Sequence, residues 1–198
     1  MSPESVQTLL DHLLSGRRAP CSRLVERLGQ EGHGHEALYE HLLRPALVQV
    51  GVLWEQNRVT VAQEHVATAI VDALLHDLFD RAKPAALTGR RALVACVEGE
   101  LHQVGARMVA DTLELRGWDT RLVGAGVPLV ALERMAEEHR PHLLALSMSM
   151  AWNLGSLNQA LAALSDIEQV VVGGHFFERR RGGVLGASVQ SLSTLAAA

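Results

Sequence analysis

The chain has 198 residues, of which 48% are hydrophobic and 20% charged, so it can bury a core and is not intrinsically disordered. Its net charge of −4 gives no electrostatic footprint for nucleic acid, and no apolar run approaches the roughly 20 residues of a membrane span. The N-terminus lacks a signal-peptide pattern, and Cys21 and Cys96 form no C-x-x-C pair. We therefore expect a reduced, cytoplasmic protein of one large domain or two small ones.

Residues 1–82 predict a four-helix bundle. Ser2 can cap the first helix, and the third has one continuous apolar stripe from Tyr39 to Trp54. Thr60 and Gln63 form a T-x-x-Q capping box at the start of the fourth. The predicted helices cover about residues 2–16, 20–30, 39–54 and 60–81. Their short connections favour antiparallel packing.

The pattern changes after the segment 83–90, which contains proline and glycine and is typical of a linker. Apolar strands now alternate with helices, the signature of right-handed βαβ units. The predicted strands are "RALVACV", "WDTRLVG", "HLLALSMS", "EQVVVGG" and a weaker "GASVQS", with a short helix after the last. The fold class is therefore α/β: a doubly wound, five-stranded parallel sheet of flavodoxin/Rossmann-like type over residues 88–198, after the bundle. Ligands of such sheets bind at the carboxyl ends of the strands.

The loop "EGELHQVG" follows the first of these strands. His102 lies near a helix start, and Glu100 can accept a hydrogen bond from one ring nitrogen, which orients the other toward a metal. Gly99 and Gly105 allow a bulky group to approach the backbone. The same residues can also be an ordinary helix start, with Glu100 favoured by the helix dipole. Spacing alone leaves both interpretations open.

The stretch E-L-H-Q-V-G resembles the D/E-x-H-x-x-G motif of cobalamin-binding domains. The family's later serine and double glycine also have counterparts, in Ser147 and in Gly173 with Gly174. The resemblance covers residues 88–198. It implies that His102 is the lower axial ligand of the cobalt, replacing the dimethylbenzimidazole tail of the cofactor.

Small residues at the ends of the strands fit a slot for the nucleotide tail beside the sheet. The alternative explanation is turn chemistry after strands. These residues are Gly124, Gly126, Ser147, Ser149, Gly173 and Gly174.

In the helical half, Trp54 is followed by nine residues and then by Glu64 and His65. This resembles the W-x9-E-H signature of light-sensing cobalamin-dependent regulators, in which these residues line the cavity of the upper ligand. The family's photoreceptor repressors have a cobalt-binding histidine directly after the tryptophan, where this chain has Glu55. We therefore expect that, after light, the cobalt binds either water or another histidine of the bundle, such as His65.

Each of these residues also has a plainer interpretation. Trp54 continues an apolar stripe, which is typical of a core residue. A row at i, i+4 spacing is typical of a solvated helix face. The row consists of Glu64, Thr68, Asp72, His76 and Asp80.

Two functions remain. The first is a sensor without turnover, in which light cleaves the upper Co–C bond of cobalamin and changes the cap or the oligomeric state. The second is a corrinoid methyl carrier of a methyltransferase system. The resemblance favours adenosylcobalamin, with methylcobalamin and hydroxocobalamin as alternatives. The chain lacks the helix-turn-helix of the repressors, so we expect no direct binding of nucleic acid. Output then passes through a homo-oligomer or a regulatory protein, or the chain is one module of a larger protein.

Overall fold

The computed structural model describes residues 1–178 and 188–189. The chain divides between Ala82 and Lys83 into two compact units, unit 1 before this point and unit 2 after it. Unit 1 is helical. Its elements are α1 Pro3–Leu14, α2 Arg18–Gln30, α3 His35–Leu38, a π-helical turn Tyr39–Leu43, α4 Arg44–Glu55 and α5 Val61–Arg81. Among the described residues, no helix is long and apolar enough to span a membrane.

Helix α5 begins as the sequence predicts. The Thr60 hydroxyl accepts from the Gln63 backbone N–H at 3.2 Å, and the Gln63 side chain accepts from the Thr60 N–H at 3.0 Å. Two N–H groups that the helix leaves unpaired are thereby satisfied. The predicted capping box is confirmed.

The third predicted helix begins earlier than expected, at His35, and contains the π-helical turn. Pro45 accounts for this turn. Its ring has no N–H to donate and would collide with the carbonyl of His41 in a regular α-helix. The N–H of Arg44 bonds instead to the carbonyl of Tyr39, which widens the turn just before the proline.

Unit 2 is a parallel α/β domain. Its elements are β1 Arg91–Cys96, α6 Val104–Leu115, β2 Asp119–Gly124, α7 Leu129–His139, β3 Leu143–Ser147, a 3₁₀ turn Ala151–Asn153, α8 Leu154–Ala163, β4 Gln169–Gly173, α9 His175–Glu178 and β5 Ser188–Val189. The strand order is β2-β1-β3-β4-β5, and all pairs are parallel. Four strands of five or six residues form the body of the sheet, rather than the five that the sequence predicts; of the expected fifth, the described residues include only the pairing of Ser188–Val189 with β4. The predicted terminal helix lies outside the described residues.

Helices cover both faces of the sheet. On one face, Ala92, Val94 and Cys96 pack against α6. On the other, Leu93 and Ala95 pack with α7 and α8. Successive residues of β1 therefore point into different cores, which explains why this strand is an unbroken apolar run rather than an alternating one.

The segment 83–90, expected to be a free linker, is hydrogen-bonded to unit 2. The N–H of Ala85 donates to the carbonyl of Leu115 at 2.8 Å, and the N–H of Thr88 donates to the carbonyl of Gly117 at 2.8 Å. Gly117 has a φ of +83°, and a Cβ there would lie 2.1 Å from the carbonyl oxygen of Ala86. Glycine is therefore required where the segment crosses the end of α6.

Candidate functional site

The carboxyl ends of β1 and β3 meet at the centre of the sheet. Cys96 is in register with Ser147, which is in register with Gly173 of β4. The chain leaves β1 toward β2 on one side and later enters β3 on the other, so the loops after β1 and β3 diverge here. This switch point is where doubly wound sheets bind ligands.

Glu100 connects these two loops. Its side chain is 0% exposed. One carboxylate oxygen accepts from the backbone N–H of His102 at 3.0 Å and also contacts the ring Nδ1 of His102. The other accepts from the backbone N–H groups of Ser149 and Met150 at 2.8 and 2.9 Å, and from the Asn153 side-chain amide at 3.1 Å. Both oxygens are thus used.

The pKa of Glu100 reflects a competition between burial and hydrogen bonding. Burial alone would raise the pKa of this carboxyl. The hydrogen bonds from His102, Met150 and Ser149 outweigh that effect and lower the pKa to about 2. Glu100 is therefore a buried carboxylate that is stabilised in its charged form across the neutral pH range.

The β1 loop is also held on its other side. The carboxylate of Glu98 accepts from the backbone N–H of Leu129, the first residue of α7, at 3.1 Å. Between the two carboxylates, Gly99 has a φ of +85°, and a Cβ there would lie 3.0 Å from Oδ1 of Asn153. The glycine therefore provides both a left-handed turn and room for Asn153. The two glutamates attach the loop to its neighbours on both sides.

His102 precedes α6, whose first residue is Val104. Its side chain is 55% exposed, whereas that of Glu100 is fully buried. Since a carboxylate can only accept, the neutral imidazole of His102 has its proton on Nδ1 and its lone pair, which a metal would bind, on Nε2. The chemistry of this pair fits a single axial histidine ligand to a metal whose other ligands come from a cofactor.

Three of the predicted small residues lie where β3 and β4 end. Ser147 is buried, and its carbonyl accepts from the N–H of Val97 at 3.1 Å. The carbonyl of Gly173 accepts from the N–H of Met148 at 2.9 Å. Gly174 has a φ of +112°, and a Cβ there would lie 2.3 Å from the carbonyl oxygen of Met148. Turn geometry and close backbone approach thus account for Gly174.

Two of the other predicted glycines have space around them, whereas a Cβ at Gly124 would lie 3.1 Å from Oε1 of Gln103. A Cβ at Gly105, the first glycine after His102, would meet nothing within 4 Å. The same holds for Gly126 after β2, whose φ of +72° also favours glycine. Ser149, by contrast, acts through its backbone N–H on Glu100.

In unit 1, Trp54 and the pair Glu64 and His65 lie on either side of the α4–α5 connection. Trp54 is 40% exposed rather than part of the bundle core. One oxygen of Glu64 lies 2.7 Å from Nδ1 of His65, and the other accepts from the Thr68 hydroxyl at 2.8 Å. This glutamate–histidine pair has the same atom-to-atom arrangement as the one after β1, and His65 is likewise exposed.

Sequence reasoning missed Asn153 and Glu98. The Asn153 amide lies 53 positions from Glu100, so only the register of β3 beside β1 reveals their contact. Glu98 has no local signal either, because the N–H that it accepts from belongs to Leu129, 31 positions away at the start of α7.

These features define a doubly wound domain that presents a carboxylate-oriented histidine at its topological switch point, preceded by a helical unit. A model of the B12 binding domain matches residues 90–189, and a second B12 binding domain model matches residues 6–78. The chain belongs to the B12-binding domain family, whose cofactor is a corrinoid.

The chain is similar to both regulators and corrinoid proteins. It is 35% identical over 116 residues to the HTH-type transcriptional repressor CarA of Myxococcus xanthus, covering 59% of this chain and 38% of the repressor. It is 24% identical over 165 residues to dimethylamine corrinoid protein 2 of Methanosarcina mazei, covering 82% and 77% of the two chains. The structure of the Methanosarcina barkeri monomethylamine corrinoid protein superimposes with a TM-score of 0.75 at 18% identity, covering 98% of this chain and 96% of that one. The last match establishes the fold.

Proposed function

We propose that this chain is a cobalamin-binding sensory module whose signal is light and whose upper ligand is the adenosyl group. The observation that carries the proposal is the combination of the partly exposed Trp54 with the Glu64–His65 pair at the α4–α5 connection. This is the W-x9-E-H pattern of light-sensing regulators. The 35% identity to a transcriptional repressor supports the same class.

In this proposal His102 binds the cobalt through Nε2, and Glu100 is the positioning residue that orients its ring. Ser147, Ser149, Gly105, Gly126, Gly173 and Gly174 surround the nucleotide tail. Trp54, Glu64 and His65 cover the upper ligand. When bound, the adenosyl cofactor supplies a Co–C bond that light can cleave. The residues of the chain orient the cofactor and exclude water, and no side chain turns over a substrate.

The second candidate is a corrinoid methyl carrier. Its support is the extent of the similarity: the chain covers 77% of the dimethylamine corrinoid protein but 38% of the repressor. Against it, the motif reads E-L-H-Q-V-G where carriers usually have D-x-H-D-I-G, and carriers lack W-x9-E-H.

Illumination separates the two candidates. The full chain is loaded with adenosylcobalamin in the dark, and absorption spectra are recorded before and after green light. A sensor is expected to bleach rapidly to one stable new form. Transfer of a methyl group between a methylated donor and the bound corrinoid, with no light response of the adenosyl form, would support the carrier instead.

We further propose that the output is a change in compactness or oligomeric state, because loss of the upper ligand removes packing against Trp54 and the Glu64–His65 pair. A ligand shifts such an equilibrium only by its differential affinity for the two states. Gel filtration and X-ray scattering of dark and illuminated samples should therefore differ. Coincident profiles alongside a changed cobalt spectrum would contradict this mechanism.

A further inference from the structure

Unit 2 has an exposed tryptophan in the loop whose other residues hydrogen-bond to Glu100. Trp152 lies in the 3₁₀ turn between β3 and α8, and it is 74% exposed. The other tryptophan of unit 2, Trp118, is only 8% exposed and belongs to the core. Nothing in the folding of unit 2 requires the large side chain of Trp152, since it contributes to neither hydrophobic core cluster of the described residues.

The turn that carries Trp152 is held in place. The N–H of Asn153 bonds to the carbonyl of Met150 at 3.1 Å, and the Asn153 amide bonds to Glu100. The backbone N–H of Met150 also donates to Glu100. An aromatic side chain on such a turn offers a large contact area with few rotatable bonds, so little conformational entropy is lost when a ligand covers it.

Leu101 repeats the pattern on the other loop. It lies between Glu100 and His102 and is also 74% exposed. Glu100 therefore connects two loops that each carry a solvent-exposed, large apolar side chain. Exposed large apolar groups on loops that also hold an oriented polar pair are typical of ligand sites rather than of inert surface.

We propose that Trp152, with Leu101, forms an apolar platform that packs against the corrin macrocycle on the His102 side and sets the affinity for the macrocycle independently of the nucleotide tail. This inference rests on the proposed binding of cobalamin through His102. The macrocycle fits as the occupant because it must lie over His102 and presents a broad, largely apolar surface. Trp152 and Leu101 contribute apolar contact only and do not bind the metal.

The test compares two corrinoids: hydroxocobalamin, which has the nucleotide tail, and cobinamide, which lacks it. Affinities of the full chain are measured by absorption and by quenching of tryptophan fluorescence. Trp152→Ala is expected to weaken the binding of both by about 60-fold, since a contact of roughly 100 Å² of apolar surface is lost. Trp152→Phe retains an aromatic face and should lose only about threefold.

Leu87→Ala is the matched control. Leu87 is a large apolar residue that is 83% exposed, but it precedes β1 and so lies toward the opposite edge of the sheet. Its truncation should change neither affinity. Thermal unfolding of both apo variants should match that of the wild type, because neither side chain is buried.

The outcomes are distinguishable. If the wild type binds neither corrinoid, the proposed function itself is wrong. If the wild type binds both and Trp152→Ala binds as tightly, the platform is wrong while the proposed function stands. If Trp152→Ala weakens cobalamin but not cobinamide, Trp152 contacts the nucleotide tail, and the platform is again wrong.

Discussion

Glutamine at position 100 would test how the site is held together, because it keeps the volume of Glu100 but exchanges one acceptor oxygen for an NH₂ donor. Five donor groups surround the two oxygens of the wild-type carboxylate: the backbone N–H and ring Nδ1 of His102, the N–H groups of Ser149 and Met150, and the amide of Asn153. An amide oxygen can satisfy one side of this arrangement only. The NH₂ group then faces donors inside a buried site.

The size of the stability loss expected for Glu100→Gln follows from the pKa of Glu100. Its fall from 4.5 to about 2 corresponds to about 3 kcal/mol of preference for the charged form in the folded state. Since the folded-state pKa is the lower one, this contribution is present in full above about pH 4.5 and is lost as the pH falls toward 2. We expect the substitution to destabilise apo unit 2 by about 3 kcal/mol at pH 7 and by progressively less below pH 4.5.

Urea unfolding of the apo-protein at pH 7, 5 and 3.5 measures this, with Trp118 in the core of unit 2 as the local probe. Glu98→Gln is the control, because the exposed Glu98 carboxylate accepts a single hydrogen bond, from Leu129. Its loss should cost less than about 1 kcal/mol and depend little on pH. Equal stability of Glu100→Gln and the wild type at pH 7, or a loss of the same size at all three pH values, would refute the reasoning.

Glu100→Gln should also change the ring of His102. If the glutamine oxygen keeps the donors of the β3 loop, its NH₂ group faces Nδ1, and His102 can accept this bond only by moving its proton to Nε2. The nitrogen proposed to bind cobalt is then protonated. ¹⁵N NMR of labelled histidine should show the exchanged tautomer in the apo-protein, and corrinoid affinity should fall. If His102 keeps its proton on Nδ1 in the variant, this prediction is wrong, and the substitution affects the stability of unit 2 without blocking the nitrogen proposed to bind cobalt.

Three further predictions concern other residues. His102→Ala should weaken cobalamin binding and return the bound spectrum to a base-on or water-ligated form; an unchanged spectrum and affinity would remove the assignment of the lower ligand. Trp54→Ala should weaken adenosylcobalamin binding while changing hydroxocobalamin binding little, whereas equal losses would make Trp54 a structural residue of the bundle. Cys96 should resist alkylation by iodoacetamide in the native protein and react after unfolding, because burial, together with the nearby charge of Glu100, raises the pKa of its thiol to about 12; rapid native labelling would show that the site opens.

Local signals predicted the elements of this chain well. The capping box of Thr60 and Gln63 located the start of α5, and the alternation of apolar strands with helical segments indicated the parallel sheet. These signals act over a few residues and depend on backbone groups that must be satisfied nearby. The π-helical turn before Pro45 is also a local effect, although the apolar stripe alone gives no sign of it.

Contacts between distant segments were harder to predict. The sequence motif pairs Glu100 with His102, two positions apart. It does not show that the second carboxylate oxygen is used by residues 149–153, because that contact depends on how β3 lies beside β1. The docking of residues 85–88 on the end of α6 was missed for the same reason, since proline and glycine composition resembles that of a free linker.

That docking determines where the chain can be divided. A fragment that begins at Arg90 would leave the carbonyl of Leu115 without the N–H of Ala85 and would uncover the backbone above Gly117, whereas one that begins at Lys83 keeps both. Residues 82–84 are therefore the only short stretch between α5 and the docked segment where the chain can be cut. Exchange of the helical unit for another domain, or insertion of a spacer, has to fall within these residues. A cut at this point allows the α/β unit to be combined with different partner domains while residues 85–88 keep their hydrogen bonds to the end of α6.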